Sequence, residues 1–399
     1  MPDSLGRPNP SLCGPMKTSS DRILTTHVGS LPRPAALVPM LIARDRDEPH
    51  DAAALAGAVA EAVNDIVARQ VACGIDTASD GEMGKISYVN YIKHRLTGFG
   101  APAPLDWSPA DMDAHPEYAQ SLREPDDAPR EDPPACRGPI GPGDRAPLEH
   151  DLKVFRAAVD AAKPADAFMN AASPGVTAMF MPNKHYPTED AYILALAAAL
   201  AEEYEAIHDA GFVLQIDCPD LAMARHMPFA GKPIEDFRRA ASLYVEALNA
   251  ATQNVPPEAM RMHICWGNYP GPHTHDVPFR EIADIVFKAR PQAVLFEAAN
   301  PRHAHEWEDL AEIAIPDHKI LIPGVIDTLS STVEHPTLIA QQICRFADIV
   351  GRERVMAGTD CGFATLASLP RVWPTIAWEK LRALSEGAEL ASERLWGGR

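Results

Sequence analysis

Eight short apolar runs recur along the chain: Ile23–Ser30, Ile75–Asp80, Ala167–Ala172, Phe212–Asp217, Arg261–Cys265, Ala293–Glu297, Ile320–Ile326 and Val355–Asp360. Most are too short for helices and turn residues bound many of them, so they read as strands. Longer stretches with apolar residues three and four apart lie between them: Ala52–Ala72, Asp190–Ala210 behind the cap residue Thr188, Pro233–Ala251, Phe279–Lys288 and Pro336–Val350. Strand alternating with helix predicts a parallel sheet. Eight such units predict an α/β fold, a single closed (β/α)8 TIM barrel. No GxGxxG follows an early strand, which weakens a dinucleotide-binding alternative.

Two regions break the alternation. Residues 98–147, after the second strand, are rich in Pro, Asp and Glu and read as a long inserted loop region near the barrel mouth. Lid, oligomer contact and passive surface loop all remain open for it. Residues 1–22 are polar and Pro-rich and read as a flexible extension, leaving 23–399 as one catalytic barrel.

Composition narrows the function classes. At 46% hydrophobic, the chain has ample material for a core. Its net charge of −19 argues against nucleic acid and anionic membrane surfaces as partners. No apolar run approaches the roughly 18 residues that span a bilayer. No basic head with an apolar core precedes Ile23, so no secretory signal is expected and the chain reads as cytoplasmic. The seven cysteines are odd in number and irregularly spaced, a pattern of thiols for metal binding or catalysis rather than a disulfide framework. A homo-oligomer is open.

In barrels of this kind the active site lies at the C-terminal ends of the strands. Those ends carry His27 and Ser30, Asp80 and Glu82, Asp217 and Cys218, His263 and Cys265, Glu297, Asp327, and Asp360 and Cys361. His263 and Cys265 are two apart, so on a strand they project to one side. With Glu297 and Cys361 they make a four-ligand set of N, S and O donors that suits Zn²⁺; the two thiolates disfavour Mg²⁺ and Ca²⁺. Taken singly, each element has a bland alternative. An isolated H-x-C is weak, a strand-end Glu is commonly an ion-pair partner, and Cys361 can be a small buried apolar residue. Convergence on one barrel face joins them.

These residues resemble the cobalamin-independent methionine synthase family, specifically its C-terminal catalytic barrel. The resemblance runs from about Ile23 to Trp378. It is carried by His27-Val28-Gly29-Ser30-Leu31-Pro32, Asp80-Gly81-Glu82, Leu214-Gln215-Ile216-Asp217, Met262-His263-Ile264-Cys265, Phe296-Glu297, Ile322-Pro323-Gly324-Val325-Ile326-Asp327 and Thr359-Asp360-Cys361-Gly362. It implies zinc on His263, Cys265, Glu297 and Cys361, and the amino-acid end of homocysteine on Ser30, Glu82 and Asp217, with His27 beside them. A free thiol has a pKa of about 8.5, and zinc coordination deprotonates it.

The pattern also departs from the family. The family's second, folate-binding barrel has no room in this length. The strand-seven motif Asp-x-His-Ser-Pro is here Asp327-Thr328-Leu329-Ser330-Ser331, and leucine cannot serve as a general acid. That leaves Asp327 and His335 as the candidate acid residues, although His335 also stands where a helix starts. Asp-Glu-Pro-Ala is here Asp217-Cys218-Pro219-Asp220. The loops 273–275 and 303–305 hold four histidines of open role. The expected reaction is zinc-dependent alkyl (methyl) transfer to a thiol such as homocysteine, from a donor such as a methyl-corrinoid or methylfolate. Epoxide opening by a thiol, thioether cleavage and a noncatalytic zinc- or thiol-binding role are the alternatives.

Overall fold

The apolar runs pair as parallel strands. In the computed structural model, which describes residues 14–122 and 132–397, the strands are β1 (Thr77–Ala78), β2 (Leu96–Pro102), β3 (Pro134–Pro142), β4 (Asp166–Ala172), β5 (Val213–Asp217), β6 (Met260–Ile264), β7 (Ala293–Phe296) and β8 (Ile320–Pro323). Six of them form one sheet in the order β1-β4-β5-β6-β7-β8, every pair parallel. Strands β4 to β8 are buried along their whole length, which is why their sequences are nearly continuous apolar runs.

The first and last predicted strands appear as shorter paired segments that link the sheet's two edges. Thr25 accepts the N–H groups of Asp76 and Thr77 beside β1. It also forms a parallel bridge with Ala357, and Val355 and Gly358 bridge to Leu321 and Gly324 at β8. The result is an α/β fold with a curled parallel sheet of the TIM-barrel kind.

Side chains fill the space inside the curl. Leu24, Val28, Phe168, Val213, Leu295, Ile322 and Met356 form one buried cluster. Arg261 crosses it, donating to Gln215 Oε1 (2.7 Å), Thr26 Oγ1 (2.8 Å) and the carbonyl of His27 (2.8 Å), with its guanidinium 3.5 Å from the Phe168 ring centroid. A buried cation is tolerable only with such a full set of partners.

The helices Ala52–Ala72 and Pro336–Val350 have the predicted bounds, and the side chain of Thr188 caps Glu189–Asp209. The expected helix 279–288 is a 3-10 turn, Phe279–Glu281, and a short helix, Ala283–Val286. Ile282, at φ −124°, interrupts it, and the N–H of Phe279 goes to Glu306. No helix among the described residues is long and apolar enough to cross a membrane.

The expected N-terminal extension divides. Residues 1–13 lie outside the described residues. Beyond them, Met16 is buried in the inner cluster with its N–H on the carbonyl of Glu258, and Ser19 donates to the carbonyl of Val355. The region 98–147 also differs from a plain loop. Its described parts include most of the antiparallel pair β2–β3 and two short helices, Ala110–Ala114 and Pro116–Ser121; residues 123–131 lie outside the description.

Candidate metal centre

His263 sits on β6 and Cys265 just beyond it, facing the same way because side chains alternate along a strand. Cys361 follows the segment that bridges β8. The tertiary fold brings a ligand atom of each to within 4.8 Å of the others, and all three residues are buried. Ligand atoms about 2.0–2.3 Å from a tetrahedral ion are about 3.3–3.8 Å apart, so a closure of about an ångström would seat a cation between them.

Protons hold the charge balance of this trio. A hydrogen bond from the Cys361 thiol brings Cys265 down to about 7 against the effect of burial. The same bond, with burial, pushes Cys361 well above the ordinary thiol range. Burial opposes protonation of His263, but the Asp217 carboxylate and the Cys265 thiolate outweigh it and hold the ring at about 9. A dication would displace the protons from His263 and Cys361, so the donor set fits zinc.

Glu297, the fourth expected ligand, stands outside the trio. Its carboxylate accepts the N–H of Trp266 (2.8 Å) and the side-chain amide of Asn300 (2.6 Å). Burial, with the nearby Cys265, pushes it up to about 7 despite the positive field of His303. Asp360, next to Cys361, sets this arrangement: it accepts the N–H groups of Ala298, Ala299 and Asn300 at 2.8–2.9 Å and so pins the loop that carries Glu297. Gly324 makes room for it, since a Cβ there would lie 2.2 Å from Asp360 Oδ1.

A buried polar cluster adjoins the trio. Asp217 Oδ1 approaches His263 Nδ1 to 3.7 Å, and its two oxygens accept from Gln215 and Asn170. Glu82, in the left-handed region at φ 57°, lies 3.6 Å from Arg33. Burial is the main cause that raises the Glu82 carboxyl to about 7, and Asp217 and Asp80 add to it; Lys85 and Arg33 pull the other way. Among the described residues, Glu82 Oε2, the atom that faces Arg33, and Asn170 Oδ1 are buried acceptors without a hydrogen-bond partner. Ser30 packs its hydroxyl against Gly362, where a Cβ would come within 1.9 Å, and its carbonyl accepts from Phe363. Ser30 thus touches the segment that presents Cys361.

Residues 176–378 match the family described as cobalamin-independent synthase, catalytic domain, a span of half the chain. The chain belongs to the cobalamin-independent methionine synthase family. A methionine synthase of Thermococcus kodakarensis is 25% identical over 93% of this chain and 94% of its own length. A 2-hydroxypropyl-CoM lyase of Xanthobacter autotrophicus is 27% identical over 38% of this chain and 45% of its own. The structure of a B12-independent methionine synthase from Shewanella sp. W3-18-1 superposes with a TM-score of 0.72 at 19% identity, covering 94% of this chain and 100% of that one. That likeness shows the fold.

Within this methionine synthase-family fold, two expected site residues have other occupations. His27 is a satisfied core histidine: Nε2 contacts Gln70 Oε1 at 2.7 Å, Nδ1 accepts the N–H of Gly29, and burial pushes it down to about 4. No ring nitrogen is left for a substrate. His335 is exposed and caps the helix Pro336–Val350 by accepting the N–H of Thr337, so its Nδ1 is occupied at a helix start. Asp327 stays at the end of β8's extension, accepting the N–H of Leu329, with its charge felt by Asp360.

Sequence reasoning missed Asn170, whose amide bonds both Asp217 and the carbonyl of Val28. It also missed Tyr88, whose phenol is pushed well above its ordinary range by burial and by the field of Cys265, Cys361 and Asp217. Neither sits in a motif, so only their spatial neighbours mark them.

Proposed function

We propose that this protein transfers an alkyl group, most simply methyl, to the sulfur of an amino-acid thiol such as homocysteine. The observation that carries this reading is the juxtaposition of the His263–Cys265–Cys361 trio with the buried acceptors of Asp217, Glu82 and Asn170. His263, Cys265 and Cys361, with Glu297 as fourth ligand, would hold zinc, which would supply the Lewis acidity to keep a substrate thiol ionised at neutral pH. The chain's own residues do the rest. Glu82 Oε2, Asn170 Oδ1 and Asp217 receive the substrate ammonium, and Ser30 borders the carboxylate end. Holding the sulfur against the donor carbon in fixed geometry removes much of the entropic barrier. We take the linked ring of eight parallel segments as a complete (β/α)8 barrel with this site at its C-terminal mouth. The names of the curated relatives support methyl transfer, and the donor is a methyl-corrinoid or a methylfolate.

The similarity to a 2-hydroxypropyl-CoM lyase favours a second reading, thiol addition to an epoxide or its reverse. A sulfonate thiol needs cations to hold it. Here Arg33 donates to the carbonyls of Leu31, Ala364 and Lys85 and faces Glu82 at 3.6 Å, and Lys85 donates to the carbonyl of Asn170. The cluster therefore favours an ammonium.

Elemental analysis of the purified chain, followed by assays of homocysteine with methylcobalamin, methylfolate and small epoxides, tests the proposal. About one zinc held through the trio is expected, lost with activity in Cys265→Ser and in Cys361→Ser. Full activity in a metal-free sample refutes the mechanism. Zinc binding with no turnover of any donor indicates a noncatalytic binding protein.

A further inference from the structure

A second group of metal-type ligands lies outside the trio. His226 comes from the segment after β5, Asp276 from the loop after β6, and Asp111 from the short helix Ala110–Ala114 between β2 and β3. One ligand atom of each lies within 4.8 Å of the others. These side chains are almost fully enclosed: His226 is 0% exposed and Asp276 2%, and Asp111 is 0% exposed.

Its hydrogen bonds leave acceptors unmatched. Asp276 receives His273 Nδ1 (2.9 Å) and His303 Nε2 (3.0 Å), both on Oδ2; among the described residues its Oδ1 has no hydrogen-bond partner and lies 3.6 Å from His226 Nε2. His226 spends Nε2 on the carbonyl of Trp266 at 2.8 Å, and its Nδ1 has none. A histidine that gives one N–H to a carbonyl keeps a lone pair on the other nitrogen, the tautomer that metal-binding histidines adopt. Asp111 Oδ1 takes Thr274 and His275, whereas Oδ2 takes only Tyr269 Oη, which leaves lone-pair capacity. Buried acceptors that face no donor are costly. A cation satisfies them together.

We propose that Asp111, His226 and Asp276 form a second divalent-cation site that fastens the region between β2 and β3 to the loop after β6. One imidazole nitrogen and two carboxylate oxygens suit a hard divalent ion such as Mn²⁺ or Fe²⁺, and the absence of thiolate distinguishes the site from the zinc-selective trio. The two carboxylates come from segments far apart in sequence, so the ion cross-links two mouth loops beside the proposed active site.

Mn²⁺ is the probe, because the dithiolate trio prefers zinc. Zinc-loaded protein is titrated with Mn²⁺ and the bound ion counted by electron paramagnetic resonance. The expected result is about one Mn²⁺ per chain, at least tenfold weaker binding in His226→Gln and in Asp111→Asn, and unchanged zinc content in both variants. Retained zinc shows that each variant is folded. Zinc-loaded wild type that takes up no Mn²⁺, or Mn²⁺ binding indifferent to both substitutions, overturns the proposal. Failure of the trio reading has a different signature: zinc content that ignores Cys265→Ser and Cys361→Ser.

Discussion

Asp217 Oδ1 lies 3.7 Å from Nδ1 of His263, so one carboxylate joins the His263–Cys265–Cys361 trio to the residues proposed to hold the amino-acid end of the substrate. The gap is longer than a hydrogen bond but short enough for charge to act. Asp217 also holds Asn170 and Gln215, which fixes its orientation.

Asp217→Asn removes that charge while keeping the shape. Groups that orient a metal-binding histidine contribute roughly 10–100-fold to metal affinity. Zinc affinity is expected to fall by about that factor, with a concurrent rise in KM for homocysteine. Competition with a chromophoric chelator measures the first and initial rates the second. Unchanged zinc affinity would falsify the link.

The proposed role of Glu82 implies a pH dependence of substrate binding. Its carboxyl sits at about 7, raised chiefly by burial, and an ammonium requires the ionised form. Affinity for homocysteine is therefore expected to weaken as pH falls below about 7. Glu82→Gln should raise the dissociation constant by about 10–100-fold at pH 8, the cost of a charged hydrogen bond, and flatten this dependence. Calorimetric titrations from pH 6 to 8 decide it.

His27 links burial to stability. Its ring titrates at about 4 in the folded chain, against 6.5 ordinarily. The unfolded state therefore takes up the proton first as pH drops. The stability associated with a neutral His27 is complete above about 6.5 and declines toward pH 4, by about 3 kcal/mol at that end. His27→Asn should be less stable at pH 7 yet lose less on acidification. Denaturant unfolding at pH 7 and pH 4.5 compares the two slopes, and identical slopes would count against the assignment.

His335 separates capping from catalysis. His335→Ala should cost about 1 kcal/mol, as for loss of a helix cap, with kcat unchanged. A general acid contributes about 100-fold or more, so a rate loss of that size would restore His335 to the chemistry.

The amino-acid sequence by itself determined the alternation of strand and helix, because burial on both faces of a parallel sheet demands continuous apolar runs that periodicity reveals. It also determined the shared orientation of His263 and Cys265, a consequence of the two-residue repeat of a strand, and the bounds of Ala52–Ala72 and Pro336–Val350, each marked by a cap or a proline. The pair β2–β3 was not legible, since its Gly- and Pro-rich strands lack alternation and their pairing spans a long insertion. Only the tertiary structure decided which polar groups were already spoken for. Gln70 takes the ring of His27, Trp266 and Asn300 take the carboxylate of Glu297, and Asp360 anchors the loop above it. Such assignments depend on hydrogen-bond partners brought together from distant segments, and a buried polar side chain is placed by whichever partner reaches it within about 3 Å.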